Sequence, residues 1–304
     1  MSGLEGSGGG GGGPERSGGA ANHGLGVRFG ARLRAAMDTL GPLCVGIDPH
    51  PSLLTAWGLS DDVKGLEAFS RTVGEALADR VAVIKPQSAF YERFGSRGIA
   101  VLESTIRQFA ETRTLVILDV KRGDIGSTAA AYADAYLDPA APLRADAITV
   151  SPYLGVGALR PIIDKAVANG LGAFVLALTS NPEGAAVQRA VGAAGKTVAQ
   201  TVIDEISQVN AGVDPLGDIG VVIGATLGQH GHDLTNLNGP ILAPGLGAQG
   251  GRVDGLRAAF GDQAPDVLPS YSREVLGAGP GVATLRAAAE RARDDCAAAL
   301  AVTA

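Results

Sequence analysis

Three charged side chains stand close together at the end of one apolar run. The segment LVILDVKRGDIGSTAAAY (115–132) places Asp119 and Lys121 two residues apart, with Asp124 three residues further on. Residues i and i+2 of a strand share a face, so we expect the Asp119 carboxylate and the Lys121 ammonium to lie side by side. A buried charge is costly, but an opposite charge within about 4 to 6 Å keeps both groups ionised. The spacing indicates either a reaction centre or a structural ion network.

A fourth charge ends the preceding apolar run. Lys85 closes VAVIKPQ (81–87) and occupies the neighbouring inward position. The sequence therefore predicts an alternating array made of Lys85, Asp119, Lys121 and Asp124. Ser127 and Thr128 follow the array, where their hydroxyls could cap the next helix.

A second candidate site lies near the end of the chain. The turn LAPGLGAQGGRVDG (242–255) is rich in glycine, and Ser272 and Arg273 end the next apolar run. Backbone N–H groups of such a turn attract an anion, and an arginine adds a charge-assisted fork. A glycine-rich turn alone is weak evidence, but its pairing with Arg273 predicts a phosphate site.

The elements that must position these residues follow one repeated pattern, in which an apolar run, a turn and an alanine-rich helical stretch alternate. The apolar runs cover residues 43–49, 81–87, 115–121, 147–153, 172–180, 219–226, 240–247 and 267–274. Nearly continuous apolar runs are typical of strands buried on both faces of a parallel sheet. Eight of them favour an α/β fold of the closed (βα)8 or TIM-barrel type over an open sheet. A helix over residues 28–40 should cover the lower end of the barrel, and residues 227–239 form a weak helix at best.

Polar residues recur at the C-terminal ends of these predicted strands. They are Asp48, Lys85, Asp119, Lys121, Ser151, Thr179, Gly245 and Arg273. Barrel enzymes keep their active sites at this end, so the shared position favours a catalytic role over separate solvated loop starts.

Composition sets the remaining limits. The chain has 304 residues, 46% of them hydrophobic, and its net charge of −6 argues against a general nucleic-acid binder. Residues 1–26 are predicted to be a disordered glycine-rich tail, and 27–304 the barrel domain. No segment resembles a signal peptide or a membrane span, so a cytoplasmic protein is expected. Cys44 and Cys296 are expected to be buried small hydrophobes, and the loop histidines to be solvated.

The motifs together resemble one family, orotidine 5'-phosphate decarboxylase, in its subgroup with longer bacterial chains. The resemblance runs from about residue 28 to 300 and is carried by GIDP (46–49), IKPQ (84–87), LDVKRGDI (118–125), SPY (151–153) and PGLGAQGG (244–251). One departure is Ser272-Arg273, where many members have Gly-Arg.

The resemblance implies decarboxylation of orotidine 5'-monophosphate to UMP and CO2, the last step of de novo pyrimidine nucleotide synthesis, without metal or organic cofactor. It implies that Lys121 and Asp119 flank the scissile carboxylate, with Lys121 protonating C6. It implies that Asp48 and Lys85 contact the ribose hydroxyls and that Ser151 contacts the pyrimidine edge. It further implies that Gln249 contacts both base and phosphate. The phosphate is implied to bind Gly250, Gly251 and Arg273. It also implies a homodimer in which Asp124 and Thr128 reach the neighbouring subunit's site.

Three other functions remain open on the residues alone. A magnesium-dependent sugar-phosphate aldolase or decarboxylase can carry a similar motif, although the positive charge of Lys85 disfavours a cation. A Schiff-base aldolase using Lys121 or Lys85 is opposed by the flanking carboxylates, which raise a lysine pKa. A non-catalytic nucleotide-binding module would leave the charged array without a purpose.

Overall fold

The computed structural model describes residues 26–248 and 250–301. In this part of the chain the strands are β1 Cys44–Ile47, β2 Val83–Pro86, β3 Leu115–Arg122, β4 Ala147–Val150, β5 Gly172–Leu178, β6 Ile219–Ile223, β7 Ile241–Pro244 and β8 Val267–Tyr271. The α-helices are α1 Phe29–Leu40, α2 Pro51–Ala56, α3 Val63–Leu77, α4 Ala89–Glu92, α5 Gly95–Gln108, α6 Gly126–Leu137, α7 Arg160–Ala168, α8 Ala185–Gln188, α9 Val198–Asn210, α10 Leu256–Phe260, α11 Arg273–Leu276 and α12 Val282–Leu300. Short 3₁₀ turns cover Val156–Leu159, Pro182–Gly184, Ala225–Leu227, Val253–Gly255 and Gly261–Asp266.

The eight strands close into a parallel barrel in sequence order, with β8 paired to β1. This confirms the predicted TIM barrel, and each strand begins inside its predicted apolar run. Most strands end two or three residues before the run does, because the polar ends of the runs belong to the loops above the barrel. Those loops are where barrel enzymes bind substrates.

The first helix seals the lower end of the barrel, as predicted. Phe29, Leu33 and Met37 of α1 are buried against inward-facing residues of the strands, among them Cys44 and Phe174. The edge-to-face contact between Phe29 and Phe174 has a ring-centroid distance of 6.0 Å. With the bottom filled by side chains, the top is the accessible end of the barrel.

A second apolar layer lies between the strands and the outer helices. Cys296 of α12 is buried there, and Cys44 is buried inside the barrel, so both cysteines are free and inaccessible as predicted. Residues 228–239 contain no regular element, in agreement with the weak helical pattern of this segment.

The predicted disordered tail, residues 1–26, lies outside the described residues except for Gly26. None of the described helices is long and apolar enough to cross a membrane.

Candidate active site

A cavity of about 310 Å³ opens at the C-terminal ends of the strands. Seven of the eight polar residues predicted at strand ends line it, namely Asp48, Lys85, Asp119, Lys121, Thr179, Gly245 and Arg273. The exception is Ser151. The barrel therefore brings together residues that are more than 200 positions apart in the sequence.

On one side of the cavity, four residues form a closed set of polar contacts around Asp119. One carboxylate oxygen accepts from Lys85 Nζ at 2.7 Å, and the other accepts from Lys121 Nζ at 2.6 Å and Thr149 Oγ1 at 2.8 Å. Gln87 Nε2 adds a contact of 3.1 Å to the first oxygen. We call Lys85, Asp119, Lys121 and Thr149 the reaction cluster.

Burial and charge act against each other in this cluster. The side chains of Lys85 and Asp119 are only 8% and 7% exposed. Burial disfavours charge on Asp119, but the ammonium groups of Lys85 and Lys121 outweigh it and hold the pKa of this carboxyl far below its usual value. Burial likewise disfavours charge on Lys85, but Asp119 and Asp48 outweigh it and raise the pKa of Lys85 above its usual value. Both groups are therefore ionised at neutral pH.

The backbone at Lys121 departs from a regular strand. The pairing of β3 with β4 shifts between Leu118 and Arg122, and Lys121 has a φ of 46°, a left-handed value unusual for a residue with a side chain. The Lys121 N–H donates to Thr149 Oγ1 at 2.9 Å, which holds the bulge. The rule that residues i and i+2 share a strand face correctly placed Lys121 beside Asp119, although the backbone at Lys121 is a bulge and not a regular strand. The Lys121 side chain is 45% exposed and lines the cavity.

The opposite side of the cavity is formed by the loops after β1, β7 and β8. Asp48, Ser272 and Arg273 line it together with Gly245 of the glycine-rich loop. Oδ1 of Asp48 and Oγ of Ser272 are buried, and neither has a hydrogen-bond partner among the described residues. We call Asp48, Ser272, Arg273 and the described loop residues 245–248 and 250–251 the anchoring side.

The glycine-rich loop bonds to itself. Gly251 N donates to Gly245 O at 3.0 Å, Gly250 N to Gly247 O at 2.6 Å, and Gly247 N to Gly251 O at 3.0 Å. The predicted phosphate ligands Gly250 and Gly251 therefore have N–H groups already paired within the loop, and neither lines the cavity. Gln249, which was predicted to bridge base and phosphate, lies outside the described residues.

Three further predicted site residues lie away from the cavity of their own chain. Ser151 does not line it, since it lies just past the end of β4 at Val150, and its N–H donates to the carbonyl oxygen of Arg122 at 2.8 Å. Asp124 does not join the predicted array, since its carboxylate accepts instead from the N–H of Ile125 at 2.8 Å. Thr128 is exposed on α6. The predicted helix caps are also wrong, because α6 already begins at Gly126 and its N-cap, Ile125, provides no side-chain bond.

Several lining residues escaped the sequence analysis. Gln87 and Thr149 contact Asp119, and Ser180 and Asn181 line the cavity after β5. Period-two spacing would have found Gln87, two residues beyond Lys85, and Thr149, two residues before Ser151. Ser180 and Asn181 depend on how far β5 extends before its loop, which the sequence pattern leaves open.

The histidines differ from expectation at two positions. His50 lines the cavity and is not merely a solvated loop residue. His230 is buried against Phe260. Burial is the main cause that lowers the pKa of His230 to about 4, and the neighbouring His232 lowers it further. Within residues 26–248 and 250–301, no group of three or more His, Cys, Asp or Glu side chains is arranged to hold a metal ion.

Comparison with known proteins gives one consistent result. Residues 41–288 match the model of the "Orotidine 5'-phosphate decarboxylase / HUMPS family". The chain is 70% identical over 272 residues to an orotidine 5'-phosphate decarboxylase of Salinispora arenicola, covering 90% of this chain and 98% of that protein. It is 59% identical over 263 residues to the enzyme of that name from Streptomyces coelicolor, covering 86% and 95%.

A crystal structure from Streptomyces avermitilis, of a protein provisionally assigned as orotidine 5'-phosphate decarboxylase, is similar along the whole barrel. Its TM-score is 0.88 at 58% identity, and the match covers 91% of this chain and 97% of that one.

Proposed function

Because the chain belongs to the orotidine 5'-phosphate decarboxylase / HUMPS family and decarboxylates orotidine 5'-monophosphate to UMP in pyrimidine biosynthesis, we propose that the reaction cluster performs this chemistry. The observation that carries the proposal is the Lys85–Asp119–Lys121 arrangement at the top of the barrel, in which one buried carboxylate bonds to two lysine side chains. Preorganised charge of this kind is the usual source of large rate enhancements.

Lys121 is the proposed catalytic acid. Loss of CO2 breaks the bond between C6 and the carboxylate carbon, and the electron pair remains on C6 with no adjacent carbonyl to delocalise it. An ammonium group beside C6 stabilises that developing charge and then supplies the proton that completes UMP. The 45% exposure of the Lys121 side chain toward the cavity leaves its Nζ accessible to a ligand.

Asp119 orients Lys121 and faces the substrate carboxylate. Its bonds to both lysines fix the positions of the two ammonium groups, so no reorganisation is needed as charge develops. Its negative charge also repels the substrate carboxylate, and this repulsion is relieved as CO2 leaves.

The anchoring side holds the remainder of the nucleotide. Arg273 is proposed to bind the phosphate, with Gln249, Gly250 and Gly251 joining it after the loop rearranges. Asp48 and Lys85 are proposed to hold ribose hydroxyls. Binding energy from the phosphate, remote from C6, can then be used to align the reacting carbon.

Ser151, in the loop just past β4, is proposed to meet the pyrimidine edge. Thr179 and Ser180, which line the cavity just past β5, are proposed to add polar contacts to the base.

A twofold homodimer is proposed to complete the site. Ile125, Tyr153 and Leu154 are 62%, 79% and 53% exposed in the single chain, which is unusual for large apolar side chains. The loops after β3 and β4, which carry these residues, approach each other closely. A Cβ at Gly123 would lie only 2.4 Å from the carbonyl oxygen of Ser151. Asp124 and Thr128 adjoin this apolar surface, so a second copy docked there could receive them in its site.

Subunit exchange tests the shared site. Asp124→Ala and Lys121→Ala proteins should each be inactive, and a mixture under exchanging conditions should recover up to about a quarter of wild-type activity, since each heterodimer has one intact site. If exchange is demonstrated and the mixture stays inactive, Asp124 acts within its own chain.

The reaction itself is tested by the ultraviolet absorbance change of orotidine 5'-monophosphate, followed with and without EDTA. We expect equal rates in both conditions, because the positive charge of Lys85 beside Asp119 disfavours a cation there. Activity that is lost in EDTA and restored by magnesium would instead support the metal-dependent alternative.

A further inference from the structure

Arg122 directly follows the proposed acid in the chain, yet its side chain lies on the outer side of the barrel. Lys121 lines the cavity, whereas Arg122 does not. The Arg122 guanidinium instead reaches two helices, because Nη2 donates to Glu92 Oε1 of α4 at 2.7 Å and Nε donates to the Tyr136 hydroxyl of α6 at 3.3 Å. The side chain therefore connects the end of β3 to both helices.

Glu92 is joined to the same strand at a second point. Its Oε1 also accepts from Ser88 Oγ at 2.6 Å, and Ser88 N donates to the carbonyl oxygen of Asp119 at 3.2 Å. These contacts hold β3 on both sides of Lys121, at Asp119 and at Arg122. We call Ser88, Glu92 and Arg122 the outer bracket.

The outer bracket contains an ion pair that is partly exposed. The side chains of Glu92 and Arg122 are 40% and 29% exposed. The hydrogen bond from Ser88 lowers the pKa of Glu92, and the charge of Arg122 acts in the same direction against partial burial. Glu92 is therefore ionised at neutral pH. Exposed ion pairs add little to global stability, so the effect of this pair should be on local geometry.

The backbone at Lys121 requires local support. Its φ of 46° is a left-handed value, which a residue with a side chain keeps only where its surroundings fix the backbone. On the inner side, the Lys121 N–H donates to Thr149 Oγ1. On the outer side, Arg122 is fixed through its carbonyl oxygen, which accepts from Ser151 N at 2.8 Å, and through its bond to Glu92. The outer bracket is thus one of the contacts that keep the bulge in place.

We propose that Glu92, acting through Arg122, is a positioning residue that holds the Lys121 ammonium beside the reacting carbon. This inference rests on the proposed function, in which Lys121 is the acid. Without Glu92, the Arg122 side chain loses its partner on α4, and the strained backbone can relax and shift Lys121 Nζ. A displacement of about 1 Å in a catalytic group can lower a rate about 100-fold.

The test compares Glu92→Ala and Glu92→Gln with wild type, using single turnovers of orotidine 5'-monophosphate and calorimetric titration with UMP. Glu92→Ala should lower the single-turnover rate about 10- to 100-fold. It should leave the dissociation constant of UMP unchanged, because the anchoring side is intact. Glu92→Gln should recover part of the rate, since its amide oxygen still accepts hydrogen bonds. Glu103→Ala, which removes an ion pair with Arg107 on α5, is the matched control and should change neither quantity.

A double variant tests whether Glu92 acts through Arg122. Glu92→Ala combined with Arg122→Ala should lower the single-turnover rate no further than Arg122→Ala alone, because the two residues then act as one unit. Losses that multiply would show that Glu92 acts by another route and would overturn the inference.

Other outcomes also overturn it. An unchanged rate in Glu92→Ala would show that Lys121 needs no support from the outer bracket. A loss of UMP affinity as large as the loss of rate, or a failure of Glu92→Ala to fold, would give Glu92 a general structural role. Absence of wild-type activity toward orotidine 5'-monophosphate, or a fully active Lys121→Ala protein, would contradict the proposed function instead, which keeps the two failures distinct.

Discussion

The two sides of the cavity treat their polar groups in opposite ways. In the reaction cluster, both oxygens of Asp119 are paired within the chain, and the bonds that they accept from Lys85, Lys121 and Thr149 are 2.6 to 2.8 Å long. On the anchoring side, Asp48 and Ser272 have buried atoms without partners, and the Arg273 side chain forms no ion pair within the described residues. The difference indicates a division of work. Groups that act on the reacting carbon are fixed in advance, whereas groups that recognise the rest of the ligand are satisfied only when it binds.

The largest expected effect is on catalysis by the reaction cluster. Lys121→Ala should lower kcat by at least about 10³-fold while UMP still binds, since the ammonium is needed mainly as charge develops at C6. Steady-state kinetics and calorimetric titration with UMP would measure the two quantities. Lys64→Ala, at an exposed position of α3, serves as the control. Retention of most of kcat would mean that another group is the acid.

A smaller effect is expected on the anchoring side. Arg273→Ala should reduce kcat/KM about 10- to 100-fold more for the nucleotide than for orotidine, because only the nucleotide makes the charge-assisted phosphate contact. Arg252→Ala is a matched control, because Arg252 directly follows the glycine-rich loop but its side chain is 81% exposed and paired with Asp254. Equal losses for both substrates would place Arg273 in a structural role and weaken the contrast between the two sides.

The stability of the two sides should differ as well. Asp119→Asn should lower the free energy of unfolding by about 3 to 5 kcal/mol, because it leaves the buried Lys85 ammonium without its counter-charge. The exposed pair of Asp61 and Arg93 provides a control, and Asp61→Asn should have little effect. Chemical denaturation at pH 7 gives both values. A near-zero effect at Asp119 would show that the cluster is not held by its charges.

The pH dependence of this stability has a definite sign. The pKa of Asp119 is lower in the folded protein, so its contribution is complete above the unfolded value of about 3.9 and is lost as pH falls toward the folded value. The pKa of Lys85 is raised, so its contribution is complete below about 10.4 and is lost as pH rises through the folded value. Denaturation midpoints should therefore fall less steeply in acid for Asp119→Asn than for wild type. Parallel acid limbs would contradict the assignment.

The fold could be predicted from the sequence to the level of its elements. Strands buried on both faces leave continuous apolar runs, and residues at their ends must meet at one end of a closed barrel. This was enough to bring Asp48, Lys85, Asp119 and Arg273 to one cavity. Lys85 and Asp119 lie within their strands, and Asp48 and Arg273 lie one and two residues past the ends of β1 and β8.

The sequence-based predictions of site residues failed where loops and local irregularities determine which side chain reaches the cavity. Ser151 was expected at the cavity, but β4 ends at Val150, and Ser151 lies in the following loop outside the cavity lining. Asp124 lies beyond β3, where period-two spacing no longer applies. The burial of His230 depends on Phe260, a contact between segments that no local pattern links.

The self-bonded glycine-rich loop has a consequence for ligand selection. Its Gly250 and Gly251 N–H groups are held by loop carbonyls, so an incoming anion gains these donors only by displacing bonds that already exist. Water or chloride can replace only one carbonyl partner at a time. A phosphate dianion presents several acceptor oxygens and a full counter-charge for Arg273, so it can compensate for all the broken bonds together. The loop should thus favour an anion with several acceptors over solutes that have only one.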